Sequence, residues 1–201
     1  AIALAKTALW LEAYTPDRPL TFIDHHLQVG DALLGVLDPK ILERGIPDEA
    51  YAVLSGDDKA TAAALKKQNK ANLKSWQDTE AANLFAAEEL LHEAASVESM
   101  ADSTLAELAQ KRAAWLRAKG QAADSRAALA ADVFVAAFLL PKLPDPTSIE
   151  PQSNVPSSNL LRLTLKGIPL EADDQPKAVA AIKVCRAHSV FHWWLAFPQV
   201  A

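Results

Sequence analysis

Apolar positions recur with a helical period through the middle of the chain. Residues 57–140 contain no proline and a single glycine, and their apolar side chains fall at spacings of three, four or sums of three and four residues. This spacing gives each segment one apolar stripe, as in amphipathic α-helices. The pattern therefore predicts three consecutive helices. Their boundaries are marked by Gly56, Asp57, Asp102, Ser103, Gly120 and Pro141.

The first of these helices is predicted to be the longest. Its apolar stripe consists of Leu65, Leu73, Trp76, Leu84, Ala87, Leu91 and Ala94. At about 1.5 Å per residue, this helix reaches roughly 60 Å if it continues unbroken. Because short joints between consecutive helices favour antiparallel packing, we expect a projecting helical hairpin.

Shorter elements flank this helical region on both sides. On the N-terminal side, the pattern predicts a helix over 2–14, strands at 20–23 and 27–34, and one short helix or two half-helices over 40–55, divided at Gly45 and Pro47. On the C-terminal side, five prolines and no periodicity predict a loop or linker at 141–158. A strand at 160–165, a helix at 174–188 and an aromatic strand at 191–197 are predicted to follow it.

Composition narrows the class of protein. The chain of 201 residues has a net charge of −5, which argues against a free-standing nucleic-acid binder, because such domains usually carry a basic face. Cys185 is the only cysteine, so no internal disulfide can form and a reducing, cytoplasmic setting is expected. No uninterrupted apolar run of about 18 residues occurs, so we expect no membrane span.

The most specific phrase in the chain is PLTFIDHHLQVGDALLG, residues 19–35, in which Asp31 follows Gly30. Ligands of open α/β sheets lie outside the carboxyl ends of the strands, and a single carboxylate there commonly holds a nucleotide-like ligand. An Asp after a Gly is also ordinary turn chemistry. The residues alone leave both interpretations of Asp31 open.

Two blocks of the sequence carry a family resemblance. The N-terminal block, residues 1–36, contains the phrase above, and the C-terminal block, residues 191–200, reads FHWWLAFPQV. The first resembles the segment that follows the S-adenosylmethionine-binding motif of large adenine-specific DNA methyltransferases of restriction and phage-defence systems. The second resembles the phrase that precedes the catalytic Asn-Pro-Pro-aromatic loop of the same enzymes, and the two blocks occur in the family's order.

The resemblance implies a cofactor-binding role for Asp31 and Ala32. In the family, the acid accepts a hydrogen bond from the exocyclic amine of the cofactor's adenine, and the backbone amide of the next residue lies nearby. No Asn-Pro-Pro-aromatic motif occurs in this chain, and none of its six glycines forms a glycine-rich cofactor loop, so no catalytic residue is assigned. The chain is therefore expected to be the interior of a methyltransferase and inactive by itself.

These observations together predict a mainly α fold. We expect an antiparallel helical insertion at 38–159, which includes the proline-rich linker at 141–158. It is expected to be attached to an incomplete piece of a Rossmann-like α/β methyltransferase core, which is formed by 1–37 and 160–201. Long insertions at surface loops cost little loop-closure entropy. We expect the two blocks to be neighbours in the fold.

The implied function is methyl transfer from S-adenosylmethionine to the exocyclic amine of adenine in DNA. The resemblance implies DNA contact through the parent enzyme, and a partner subunit of a defence complex is a further candidate for the helical insertion. The alternative is a non-enzymatic helical protein-interaction module. The continuation of the gene discriminates between them, because only the methyltransferase requires an Asn-Pro-Pro-aromatic motif soon after residue 201.

Other clusters favour structural interpretations. Adjacent histidines in an extended segment point to opposite faces, so Asp24, His25 and His26 are expected to pack rather than to bind a metal. Cys185 and His188 would share a helix face, but they lack an oxyanion element, so an inert core thiol is expected.

Two further sets of side chains have both a functional and a structural interpretation. The aromatic residues Trp193, Trp194 and Phe197 could stack a flipped base, but we expect them to be core side chains that hold the neighbouring catalytic loop. Four lysines on the first helix could touch phosphate, although a solvated face is favoured because glutamates follow them. These lysines are Lys66, Lys67, Lys70 and Lys74.

Overall fold

The computed structural model describes residues 1–16, 19–20, 22–31, 33–77, 95–144 and 153–197. Seven α-helices and two short 3-10 helices are defined within these ranges, and residues 95–99 are helical as well. The α-helices are α1 (Ile2–Glu12), α2 (Lys59–Gln77), α3 (Leu105–Ala123), α4 (Arg126–Leu139), α5 (Ser158–Lys166), α6 (Gln175–Ala187) and α7 (Trp193–Ala196). The 3-10 helices are η1 (Pro39–Arg44) and η2 (Asp48–Tyr51).

Local capping chemistry explains where several helices begin. Thr104 accepts a hydrogen bond from the backbone N–H of Glu107, whose side chain accepts one from the Thr104 N–H, so α3 starts with a capping box. The hydroxyl of Ser125 accepts from Ala128 N at the start of α4. Asp38 caps η1, and Pro39 occupies the first helical position. The predicted cap of α3 at Asp102 and Ser103 was therefore one or two residues too early.

The central element is α4, and it is buried on nearly every side. Eight of its residues are buried, all of them alanine, valine or phenylalanine. A helix that is apolar all round belongs in a core, and alanines allow close approach of its neighbours. α4 packs most extensively against α6 and α5 and also contacts η1 and η2. Within the described residues, the main partners of α4 therefore lie in the C-terminal part of the chain rather than in α3, its predicted antiparallel neighbour. The expected projecting hairpin depends on residues 78–94, which lie outside the described residues.

The prediction of a mainly α fold is confirmed, but no α/β core is seen in the part of the chain that the structure describes. The predicted strand at 160–165 was wrong, because this segment is helix α5. Its buried residues are Ser158, Leu160, Leu161, Thr164 and Leu165. Their spacing fits a helical period, whereas a half-buried strand would bury alternate residues.

The other predicted strands were also wrong. The aromatic segment 191–197 contains the short helix α7. Residues 22–31 form a turn at 24–26 and a loop, and the only β pairing found in the described ranges is an isolated parallel bridge between Asp31 and Val190. The backbone donors of this loop therefore find partners in turns and in one neighbouring segment instead of a ladder.

A buried polar network joins the 3-10 region to α2 and α5. Asn69 is fully buried; its side chain donates to Ile46 O at 2.7 Å and accepts from Ser158 N at 2.8 Å. The hydroxyl of Tyr51 donates to Pro156 O at 2.8 Å. Val155 and Pro156 are buried here too, so this end of the predicted linker is part of the core.

The remaining predicted helices are confirmed within the described residues. η1 and η2 correspond to the two half-helices divided at Gly45 and Pro47. α3 continues past its predicted end at Gly120 to Ala123, and α4 ends just before Pro141. The first long helix is seen as α2, while residues 78–94, and with them much of its predicted stripe and length, lie outside the described residues. None of the described helices combines the length and apolarity that a membrane span requires.

Candidate functional site

The two blocks that carry the family resemblance contact each other through their backbones. Asp31 N donates to Ser189 O at 2.7 Å, directly beside the parallel bridge between Asp31 and Val190. Phe191 N then donates to Leu34 O at 2.8 Å. The prediction that the two blocks are neighbours is therefore confirmed. We call this contact the Asp31 junction.

Two glycines of the phrase VGDALLG allow this close approach. A Cβ atom at Gly30 would overlap the ring of Phe191, and one at Gly35 would overlap the carbonyl group of the same residue. Gly35 also has a φ of +136°, a conformation that residues with a side chain rarely adopt. Both glycines therefore serve the packing of one block on the other.

Asp31 lies at the centre of the junction with an exposed side chain. Its Oδ1 accepts a hydrogen bond from Leu33 N at 2.9 Å, and its carbonyl accepts from Leu34 N at 3.3 Å. This is the turn chemistry that the residues alone suggested. It occupies one carboxylate oxygen, and Oδ2 has no hydrogen-bond partner among the described groups. Ala32, the second residue of the predicted cofactor site, lies outside the described residues.

His192 connects three parts of the chain at the junction. Its Nδ1 accepts from Val36 N at 3.2 Å, so Nδ1 carries no hydrogen and Nε2 donates to Asp132 Oδ1 at 3.0 Å. Val36 belongs to the N-terminal block and Asp132 to α4. The sequence analysis did not identify Asp132. Its position as the only acid in the apolar sequence of α4 could have indicated it, because a carboxylate in such a helix needs a hydrogen-bond partner.

A cavity of about 890 Å³ lies beside the junction. Its wall combines residues of both blocks with residues of α3, α4 and α6. Polar and aromatic lining side chains include His25, Glu98, Trp115, Arg126, Asp132 and His192. Its volume is that of a small-molecule site.

The prediction that Cys185 lies in the core is confirmed. Burial, and secondly the nearby Asp132, raise the pKa of the thiol well above its ordinary value, so it stays protonated at neutral pH. Its sulfur lies 3.5 Å from Asp132 O, and His188 is exposed and makes no described contact with it. The pair has neither a thiolate nor a positioned base.

The prediction that His25 and His26 point to opposite faces was wrong. They lie in a turn, not in an extended strand, and their ring centroids are 3.8 Å apart. His25 Nε2 is 2.8 Å from Glu98 Oε2. Burial lowers the pKa of His25 below its ordinary value despite that carboxylate, so the contact is a hydrogen bond of a neutral imidazole at neutral pH.

The aromatic residues of the C-terminal block divide into two groups. Trp194 is buried in the core, as expected. Trp193 is at the surface, where it contacts Phe191 edge-on at 5.1 Å and Phe197 at 6.0 Å between ring centroids. These rings form a small cluster on the outer side of the junction.

The lysines of α2 face solvent. Lys70 Nζ and Lys66 Nζ lie 3.1 and 3.7 Å from Asp48 Oδ2, and the side chains of Lys67 and Lys74 are exposed. These contacts agree with a solvated face, although the glutamates Glu88, Glu89 and Glu93 lie outside the described residues.

No family model matches this chain, and no curated protein or solved structure matches it either.

Proposed function

We propose that this chain is part of a longer S-adenosylmethionine-dependent, adenine-specific DNA methyltransferase of a restriction or phage-defence system. The observation that carries the proposal is the Asp31 junction. Two phrases that resemble successive parts of one methyltransferase pocket are 155 or more residues apart in sequence, yet Asp31 N bonds to Ser189 O next to the second phrase. A chance pair of sequence likenesses gives no reason for that contact.

Asp31 fits the role that the resemblance implies. Its side chain is exposed, and its turn uses Oδ1 alone, which leaves Oδ2 available to accept a hydrogen bond from an adenine amine. A charged acceptor makes such a bond stronger than a neutral one. When bound, the cofactor supplies the methyl group; this chain's contribution is to orient its adenine.

Exposed apolar side chains of the N-terminal block support the idea of a larger domain. Leu33 is 94% exposed and Leu37 is 70% exposed, and α1 has no buried residue although it carries Leu4 and Leu11. Large exposed apolar patches usually mark a surface that another element covers. In the proposal, the rest of a Rossmann-like core packs there, and the parallel bridge at Asp31 becomes part of its sheet.

The decisive experiment compares Asp31→Asn with Asp31→Ala in the full-length parent enzyme. Asparagine keeps an oxygen for the Leu33 N–H but places its amide NH₂ group, a donor, against the exocyclic amine of the cofactor's adenine. We expect both variants to weaken S-adenosylmethionine binding by about tenfold, measured by calorimetry. Asp173→Asn, an exposed acid before α6, is the matched control. Equal affinity of Asp31→Asn and the parent enzyme would remove Asp31 from the site.

Two further observations test the proposal as a whole. The gene should encode an Asn-Pro-Pro-aromatic motif soon after residue 201; a different continuation favours the non-enzymatic helical interaction module. The isolated chain should show no cofactor binding or only millimolar affinity, because it lacks a glycine-rich loop. Micromolar binding by the isolated chain would contradict the proposal that the rest of the cofactor site lies outside this chain.

A further inference from the structure

Three potential metal ligands, His25, His26 and Glu98, lie close together, and two of them, His25 and Glu98, line the cavity. His25 and His26 come from the turn at 24–26, and Glu98 comes from the helical segment 95–99, 73 residues away from His25. One ring nitrogen from each histidine and one carboxylate oxygen all lie within 4.8 Å of one another. His25 Nε2 is 2.8 Å and His26 Nε2 is 3.7 Å from the same oxygen, Glu98 Oε2.

The environment of His25 gives a second, independent indication. Its side chain is only 10% exposed, and its Nδ1 is buried without a hydrogen-bond partner in the described part of the chain. Buried polar groups are ordinarily satisfied. A single hydrogen bond to the carboxylate of Glu98, which is 59% exposed, compensates poorly for burying this imidazole. A metal ion bound through Nδ1 would satisfy that nitrogen directly, and one bound through Nε2 would replace the single contact to Glu98 with a coordinate bond.

Neighbouring charges leave room for a cation. Lys111 is the nearby positive charge; its Nζ lies 3.5 Å from Asp102 Oδ2 and 3.4 Å from Glu98 O, so it already has partners of its own. Asp24 is likewise paired, with Lys6. The carboxylate of Glu98 is therefore left to the two imidazoles.

We propose that His25, His26 and Glu98 bind one divalent transition-metal ion of the zinc type. Two imidazole nitrogens and one carboxylate oxygen are a donor set that such ions prefer over the oxygen-only sets of calcium and magnesium. His26 is 51% exposed, so water completes the coordination on the open side. The ion fastens the turn of the N-terminal block to the helical segment 95–99. This proposal is independent of the methyltransferase assignment.

The test is a calorimetric titration of the chelator-treated chain with Zn²⁺ alone. We expect one equivalent to bind. His26→Ala and Glu98→Gln change exposed side chains, so they should preserve the helical circular-dichroism spectrum and weaken binding by about tenfold or more. His188→Ala, which removes an exposed histidine outside the cluster, should leave the affinity unchanged.

A second readout separates this site from the buried thiol. Bound Co²⁺ should give visible absorption without the intense thiolate charge-transfer band, because Cys185 is not a ligand. At the same Zn²⁺ concentration, the thermal midpoint should rise less for Glu98→Gln than for the unsubstituted chain. Absence of binding at micromolar Zn²⁺, or equal binding by the parent chain and both cluster variants, overturns the proposal.

Discussion

At the scale of single residues, Gly35 illustrates how closely the two blocks approach each other. A residue with a side chain would be strained by the backbone φ of +136° at this position. Its Cβ atom would also overlap the carbonyl group of Phe191. We expect Gly35→Ala to lower the free energy of unfolding by about 2 kcal/mol or more, since the backbone conformation and the overlap both oppose it. Denaturant unfolding of the chain measures the change.

Gly120 is the matched control for that substitution. It lies inside α3 with open space where a Cβ would be. Gly120→Ala should therefore stabilise the chain by about 0.5–1 kcal/mol, because alanine favours the helix. A result in which both substitutions destabilise equally would contradict the assigned role of Gly35.

Asp57 contributes a pH-dependent link between α2 and the end of α4. The backbone N–H groups of Leu54 and Lys142 donate to its two oxygens, both at 2.9 Å, and hold the pKa of this carboxyl below its ordinary value. A lowered pKa means that the folded state binds fewer protons than the unfolded state. The contribution is therefore present above the ordinary pKa and is lost as the pH falls through the folded-state pKa.

Asp57→Asn should make the free energy of unfolding less dependent on pH in the acid range. The parent chain is expected to lose more stability than the variant between about pH 5 and about pH 3, measured by urea unfolding at each pH. Asparagine can accept at only one of the two positions, so the variant should also be less stable at neutral pH. Parallel pH profiles for parent and variant would show that Asp57 has no such role.

At the scale of elements, the network around Asn69 holds the 3-10 region against α2 and α5. Asn69→Ala leaves Ile46 O and Ser158 N buried without this partner. We expect a loss of about 3 kcal/mol, since unsatisfied buried groups cost about 1–3 kcal/mol each. Thermal or urea unfolding measures it.

Asn154→Ala is the control for this prediction. Asn154 is exposed, so its replacement should change stability by less than about 0.5 kcal/mol. If the two variants were equally stable, the network would be dispensable.

Elements with strong local signals were predictable from the sequence. α4 and α6 have uniform apolar periods and clear ends. α7 was missed because it is short and rich in aromatic residues, which also favour strands. α5 was missed because the periodicity of a short apolar segment does not separate a strand from a helix. In α5, tertiary packing favours the helix over a strand, since Leu160, Leu161 and Leu165 all face the core. Local propensity carries no information about that face.

At the scale of the whole molecule, one core draws on the N-terminal, middle and C-terminal parts of the chain. Val36, Val133 and Trp194 belong to the same buried cluster. The resemblance anticipated the contact between the two blocks, because successive parts of one pocket must be neighbours. It could not anticipate Asp132 or Glu98, which lie in the part of the chain that the resemblance does not cover.

His192 is the point where these three parts are joined, and it supports the last prediction. Removing its ring leaves Val36 N–H and Asp132 Oδ1 without their partner. His192→Ala should therefore cost about 2–3 kcal/mol, whereas His188→Ala, at an exposed position on the end of α6, should cost little. A double-mutant cycle of His192→Ala with Asp132→Ala should give a coupling energy of about 1 kcal/mol or more. Additive effects would mean that the hydrogen bond to Asp132 does not fasten α4 to the junction, and that apolar packing alone determines where the C-terminal block lies.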